Sequence, residues 1–196
     1  MLNVPDDPLV IARARKGDMH AMETLYRMYE TPVYNLGRRI LTRPEEAEEV
    51  LQETFLEVFR NLGRYRGDGS ISVWIRKIAA SKALMRIRSR EGRREEPLVD
   101  EGEGLPTQEN DSLALKPGAI LDRLRLEAAL SKLPEPVRAV VWLHDVEGFT
   151  HDEIAQMTRK TPSHSKSLLA RAHARLRCLL SAENEDSPCI RQANNS

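Results

Sequence analysis

A chain of 196 residues has room for one domain or two small ones, and a 40% hydrophobic content can build packed cores, which excludes a wholly disordered polymer. Its 30 basic and 30 acidic residues cancel, so net charge alone points to no partner. Two cysteines, Cys178 and Cys189, are too few for a disulfide scaffold.

The neutral average conceals strong segregation. From Arg60 to Arg94 there are eleven Arg and Lys against two acids, Asp68 and Glu91, whereas Glu45 to Glu57 holds six Glu and no basic residue. Such a pattern says more about partners than the sum does. No apolar run approaches the roughly 20 residues needed to span a bilayer, and no N-terminal stretch resembles a signal peptide. A soluble cytoplasmic chain without membrane insertion is expected. His173 and Cys178 have no common metal spacing, and no nucleophile–base pair or metal cluster stands out, so neither a cofactor nor enzymatic activity is expected.

In chain order, Asp7-Pro8 pairs an N-cap residue with proline at the first helical position and opens a helix that Gly17-Asp18 ends. A longer helix follows over His20 to Arg39, its stripe made of Met22, Leu25, Tyr26, Met28, Tyr29, Val33, Tyr34 and Leu36. Pro32 predicts a kink or break near Glu30-Thr31. Pro44 starts a third helix, with first-turn glutamates suited to the helix dipole, reaching Gly63. A short loop, Arg64 to Ser70, leads to a fourth helix carrying Val73, Trp74, Ile75, Ile78, Ala79, Ala83, Leu84 and Ile87.

Helical periodicity lapses from Glu91 to about Pro117, where prolines, glycines and eight acids as far as Asp111 read as a flexible linker. It resumes with Ile120, Leu121, Leu124, Leu126, Ala129 and Leu130, is punctuated by Pro134 and Pro136, and returns in Val137 to Leu143, ending near Gly148. Thr150 and Glu153 have capping-box spacing, so a short helix begins there. Thr161-Pro162 marks a further start, Ser165 to Leu180 forms a long final helix, and a polar tail is expected to be disordered. The expected class is all-α.

Three constellations bear on function. The first is a short helix, a tight turn and a longer basic helix near the C-terminus, which fits a major groove. Ser163, His164, Lys166 and Ser167 lie where base edges would be met, and Arg171 and Arg175 could reach phosphates. Leu168, Leu169, Ala172 and Leu176 would pack inward. An ordinary amphipathic hairpin with a solvated face is the alternative. The second is Tyr65 to Lys82 with the helix beyond it, where a Gly-Ser loop adjoins Trp74 and the cations Arg76, Lys77, Lys82, Arg86, Arg88 and Arg90. It could hold single-stranded DNA. Trp74 reads better as core than as a stacking platform. The third is the acidic run Glu45 to Phe55. It would repel phosphates, so it either meets a basic protein surface or serves helix-dipole and solubility chemistry.

Together these pieces resemble the extracytoplasmic-function (ECF) sigma factors of bacterial RNA polymerase over roughly Asp7 to Leu180. Glu46-Ala47-Glu48-Glu49-Val50-Leu51-Gln52-Glu53-Thr54-Phe55 resembles the family's region 2 motif, with Glu replacing Asp. Trp74-Ile75-Arg76-Lys77-Ile78-Ala79 is similar to its Trp-Leu…Ile-Ala stretch. Leu133-Pro134 through Glu147-Gly148, Glu153-Ile154-Ala155 and Lys166-Ser167 resemble region 4.

The resemblance implies two helical domains, region 2 at 5–94 and region 4 at 119–181, with a linker at 95–118 and a tail at 182–196. It implies that Glu46, Glu49, Gln52, Glu53 and Phe55 meet the β′ clamp helices of core RNA polymerase. Arg66, Gly67, Ser70, Arg76, Lys77, Ser81, Lys82 and Arg86 would face the −10 element. Region 4 would sit on the β-flap and read the −35 element through Arg159, Lys160, Ser163, His164, Lys166, Ser167, Arg171 and Arg175. An anti-sigma factor or another regulator is a further implied partner, and the polymerase would supply all catalysis.

Departures from the pattern accompany the match. Arg159 stands where the family's turn usually has Gly, and Thr158 where it has Leu. Ser163-His164-Ser165 replaces Gly-Thr-Val, and Ser81 and Met85 replace Asn and Asp. Ile71 stands where an aromatic often precedes the Trp. They motivate a competing reading, a sigma-like decoy that binds an anti-sigma protein without productive promoter recognition. A dimeric repressor would leave the acidic helix and second basic module unexplained.

Overall fold

The structure is a computed structural model that describes residues 6–65, 69–91 and 117–181. Among them lie eight α-helices: α1 (Pro8–Arg15), α2 (Met19–Ile40), α3 (Pro44–Asn61), α4 (Ile71–Glu91), α5 (Pro117–Ser131), α6 (Glu135–Val141), α7 (His151–Thr158) and α8 (Pro162–Ser181). A 3-10 turn, Leu62–Arg64, ends α3, and a π turn, Trp142–Val146, prolongs α6. The expected linker and polar tail, and the candidates Arg66 and Gly67, lie outside the described residues.

The helix starts follow the local chemistry. Asp7 accepts the amides of Leu9 and Val10, and Asp18 those of His20 and Ala21, satisfying donors that a first turn leaves orphaned. Asp6 does similar work across the chain. Its carboxylate accepts from Tyr29 Oη (3.2 Å), Ser70 Oγ (3.0 Å) and the Ile71 amide (3.1 Å), tying the N-terminus to the start of α4. Burial, reinforced by Asp6, pushes the Tyr29 phenol above its ordinary pKa.

Helix α2 is the spine of the N-terminal half. Leu25, Tyr29, Val33, Leu36 and Ile40 recur at helical spacing and are buried against Val50, Phe55 and Val58 of α3 and Ile71, Ile75 and Ala79 of α4. The break expected near Pro32 is absent: α2 runs from Met19 to Ile40 as one helix with Pro32 inside it. Proline costs one backbone bond, but Tyr29, Val33 and Leu36 on either side are buried, and that burial outweighs the loss. At Gly37 the backbones of α2 and α3 nearly touch, since a Cβ there would lie 3.1 Å from Ala47 Cβ.

In the C-terminal half, α5, α6 and α7 pack on α8. Leu130, Leu133, Val140, Leu143, Phe149 and Ile154 are buried with Leu169, Ala172 and Leu176. The two halves meet along a seam where α2 and α4 touch α6, and α4 touches α7. Arg138 is only 3% exposed. Its guanidinium crosses the seam to donate to Ile40 O (3.0 Å) and Thr42 Oγ1 (3.2 Å). Burial pulls its pKa down, with Glu135 opposing.

Candidate nucleic-acid and polymerase interfaces

The C-terminal helix pair is built as its sequence suggests. Thr150 Oγ1 accepts the Glu153 amide (3.2 Å) and Glu153 Oε2 accepts the Thr150 amide (3.0 Å), a complete capping box at the start of α7. These Thr150 bonds lead the effects that hold the Glu153 carboxyl below its usual range. Helix α7 ends at Arg159 in the left-handed region, φ 56° and ψ 36°. The Lys160 amide closes on Ala155 O (3.1 Å) and the Arg159 amide on Gln156 O (3.4 Å). That is the Schellman arrangement, in which glycine is the usual residue because it carries no Cβ. Arg159 therefore takes the turn geometry with a local strain. Thr161 Oγ1 then accepts the His164 amide (3.2 Å) and α8 opens at Pro162, so the start marked by Thr161-Pro162 and the long helix expected over Ser165 to Leu180 are one continuous helix.

Arg159, Lys160, Ser163, His164, Lys166, Ser167, Arg171 and Arg175 are all exposed, opposite buried Leu169, Ala172 and Leu176. None of the cations in this set joins an ion pair among the described residues. Leu168 is half-buried.

A partly exposed polar chain beside this pair was not legible from spacing. Asp145 accepts from His144 Nδ1 (2.8 Å) and His173 Nε2 (2.6 Å). His144 stacks on His151 at 4.3 Å between centroids, and His151 Nδ1 lies 3.0 Å from Ser165 Oγ. Burial opposes ionisation of Asp145, but the two histidine hydrogen bonds outweigh it and hold that carboxyl below its usual range. Helix α8 is thus pinned at Ser165 and at His173. The departure at Ser165 has a physical account, since this buried hydroxyl has His151 as its partner.

The second basic surface is arranged differently. Lys82 pairs with Glu57 at 2.6 Å, Arg86 with Glu49 and Glu53, and Arg90 with Glu46 at 3.1 Å and with Glu135. Arg76 faces Glu147 at 3.5 Å, and Lys77 faces Glu153 at 3.6 Å. Ser81 is half-buried, as is Ser70, which is held by Asp6. Trp74 is half-buried against the core and stacks on Tyr65 at 5.4 Å. Tyr65 Oη donates to Gly69 O (2.5 Å).

The acidic helix thus meets a basic surface within its own chain. Glu46, Glu49 and Glu53 of α3 line up with Arg86 and Arg90 of α4, while Glu49 and Gln52 keep substantial exposure. Phe55 is a correction. At 3% exposure, with Tyr26 edge-on at 4.7 Å and Phe59 at 5.7 Å, it belongs to the core and cannot touch a partner in this fold.

A four-helix unit ending in a groove-sized basic helix, joined to a bundle with an acidic α3 and a basic α4, defines a class of two-part, all-helical DNA-binding transcription factors. Residues 25–93 match sigma-70 region 2 and residues 123–176 match sigma-70 region 4. The chain belongs to the sigma-70 family, in its extracytoplasmic-function group. It is 29% identical over 180 residues to the RNA polymerase sigma-H factor of Pseudomonas aeruginosa, covering 88% of this chain and 92% of that one. It is 28% identical over 174 residues to the ECF RNA polymerase sigma factor SigM of Mycobacterium tuberculosis, covering 89% and 84%. Among solved structures it shares its fold with the sigma factor RpoE of Bartonella quintana, solved with the anti-sigma factor NepR. That match has a TM-score of 0.53 and 19% identity, over 82% of this chain and 97% of that one. CnrH, solved with the cytosolic domain of CnrY, matches with a TM-score of 0.52 and 20% identity, over 89% and 97%. No helix among the described residues is long and apolar enough to cross a membrane.

Proposed function

We propose that this chain is a promoter-specificity subunit that binds core RNA polymerase and directs initiation through the −10 and −35 elements. Region 2 spans 5–94, the linker 95–118, region 4 119–181 and the tail 182–196. The observation that carries the reading is the exposed cationic face of α8, without an ion-pair partner among the described residues and aligned behind a capped α7 and a tight left-handed turn. A surface of that shape gains affinity by releasing counterions from phosphates and specificity from side chains at base edges. The exposed carboxylate of Glu49 and amide of Gln52, with half-buried Glu53 beside them, are the candidate contacts with the β′ clamp helices. Catalysis belongs to the polymerase. The complexes of RpoE with NepR and of CnrH with CnrY support an anti-sigma protein as a further partner.

Selection from a randomised duplex pool tests the reading. Core polymerase with this chain should enrich duplexes sharing two spaced elements, and Lys166→Ala with Arg171→Ala should erase the upstream one. Enrichment by neither component nor complex would defeat it. The decoy reading has one observation in its favour: the cations of α4 are occupied by the chain's own acids. It requires that the Lys166→Ala, Arg171→Ala variant behave like the parent.

A further inference from the structure

Two adjacent aspartates cap two different helices. Asp7 accepts the amides of Leu9 and Val10 and starts α1. Asp6 serves α4 instead, whose first residue lies 65 positions along the chain. Its Oδ1 accepts from Tyr29 Oη (3.2 Å) and Ser70 Oγ (3.0 Å), and its Oδ2 from the Ile71 amide (3.1 Å). Ser70 Oγ in turn accepts the Ser72 amide at 3.1 Å, while Ser70 O takes the amides of Val73 (3.1 Å) and Trp74 (3.3 Å). The first four amides of α4, orphans in a bare helix start, are thus all satisfied. One is satisfied by Asp6 directly and another through a hydroxyl that Asp6 orients.

We propose that Asp6 is a positioning residue for reading the −10 element, fixing Ser70 and the first turn of α4 where the strand is met. This deepens the promoter-factor reading and rests on it. A serine hydroxyl has a single proton to give. At Ser70 that proton goes to Asp6 and a lone pair goes to Ser72, so the side chain acts as a joint in the structure rather than as a donor to a base. What the joint sets is the placement of the exposed face that begins at Val73 and continues one turn on at Lys77, with Gly69 exposed beside it. An exposed apolar side chain next to a cation suits an unpaired strand, whose bases and phosphates both need partners.

The anchor is held at both ends. Tyr29 is buried in α2, and its phenol, pushed well above its ordinary pKa by burial and then by Asp6, keeps its proton to donate across the working pH range. Asp7, the next residue, is fixed by its own bonds to α1. Hydrogen bonds to an ionised acceptor are roughly twice as strong as neutral ones, so three on one carboxylate make a firm tie. Without that carboxylate the Ile71 amide loses its acceptor and the Ser70 hydroxyl its orientation, leaving the first turn of α4 to Ser70 alone. The hydrogen-bond partners of Asp6 lie in α2 and at the start of α4, so its loss should leave α7 and α8 as they are.

The test is selection from a randomised duplex pool by core polymerase carrying the parent chain, Asp6→Ala or Asp7→Ala, with the bound DNA sequenced. Asp7→Ala removes a cap of the same chemistry one residue away and is the structural control. A mismatched base in a recognised element costs about 10-fold in affinity. Asp6→Ala should therefore flatten preference at one or more positions of the downstream element by about 10-fold, with the upstream element selected as by the parent. Asp7→Ala should keep both elements. Ser70→Ala should flatten the same positions, and Asp6→Ala with Ser70→Ala should flatten them no further, because both act through one joint. If circular dichroism shows Asp6→Ala unfolded, Asp6→Asn takes its place: it keeps an oxygen for Tyr29 and Ser70 but loses the acceptor for Ile71, and should flatten the same positions. A downstream element read alike by parent and Asp6 variant overturns the inference. So do equal weakening of both elements, the same flattening by Asp7→Ala, or additive losses in the double variant. A parent that enriches no downstream element removes the promoter reading itself, a failure seen in the parent and not only in its variants.

Discussion

Replacing Lys166 and Arg171 with alanine should change not only how tightly the chain holds duplex DNA but how that affinity responds to salt. Both side chains are exposed on α8, on the face opposite Leu169, Ala172 and Leu176, so truncation leaves the packing intact. If each neutralises one phosphate, the wild-type slope of log K against log salt is steeper than the variant's by about 1.8, from 0.9 per contact. Over the decade from 1 M to 0.1 M salt that is a factor of about 60, or roughly 2.5 kcal/mol at the lower concentration. The two proteins should bind alike near 1 M and diverge steadily as salt falls. Anisotropy titrations of a selected duplex at four or five salt concentrations measure this directly. Parallel lines with a constant offset would mean that these residues contact no phosphates and that α8 is docked differently.

Other consequences are open to measurement. Glu46→Lys with Glu49→Lys should weaken capture of core polymerase by about 10-fold or more, equivalent to 1.4 kcal/mol. Because both glutamates also pair with Arg90 and Arg86, circular dichroism must show a folded variant, and unchanged capture by such a protein removes α3 from the interface. Arg159→Gly should raise stability by about 1 kcal/mol and Tm by about 2–4 °C, since glycine takes the left-handed turn without a Cβ penalty. A lower Tm would show that the arginine side chain contributes more than its backbone costs. Burial, then His144 and Lys166, holds the His151 imidazole below its ordinary range, with Asp152 and Asp145 opposing. A depressed histidine is neutral by preference in the folded state. Its contribution is therefore present above the unfolded pKa of about 6.5 and is lost as pH falls through the lower folded value. Going from about pH 7.5 to 5.5 should lower Tm more in the wild type than in His151→Gln; equal losses would take the His151–Ser165 contact out of the balance.

What could be read from residues alone divides by the range of the interaction. Asp7-Pro8, Thr150 with Glu153, and Thr161-Pro162 act within a few residues of themselves, and each helix start stands where that chemistry puts it. The left-handed turn at Arg159 was not legible from the residue itself; only the resemblance, which has glycine at that place, pointed to it. Pro32 does not break α2, because the penalty of proline is local, whereas the burial of Tyr29 and Val33 that offsets it depends on α3 and α4. Phe55 misled for a related reason: it sits in an acidic motif, but its own position along α3 faces Tyr26. The seam was invisible. Glu135, Glu147 and Glu153 carry no sign in sequence that they reach Arg90, Arg76 and Lys77, because such pairs are set by how two separately folded faces meet. Segregated charge announced the acidic and basic helices but not that each would find its first partner in the other.

The central claim is that this chain endows core RNA polymerase with promoter choice. Purified chain added to core enzyme on fragmented genomic DNA, with RNA 5′ ends sequenced, tests it most directly. A set of new start sites sharing two spaced upstream elements, lost with Lys166→Ala and Arg171→Ala, is the predicted result. An unchanged start-site map from folded chain and active core enzyme would contradict it.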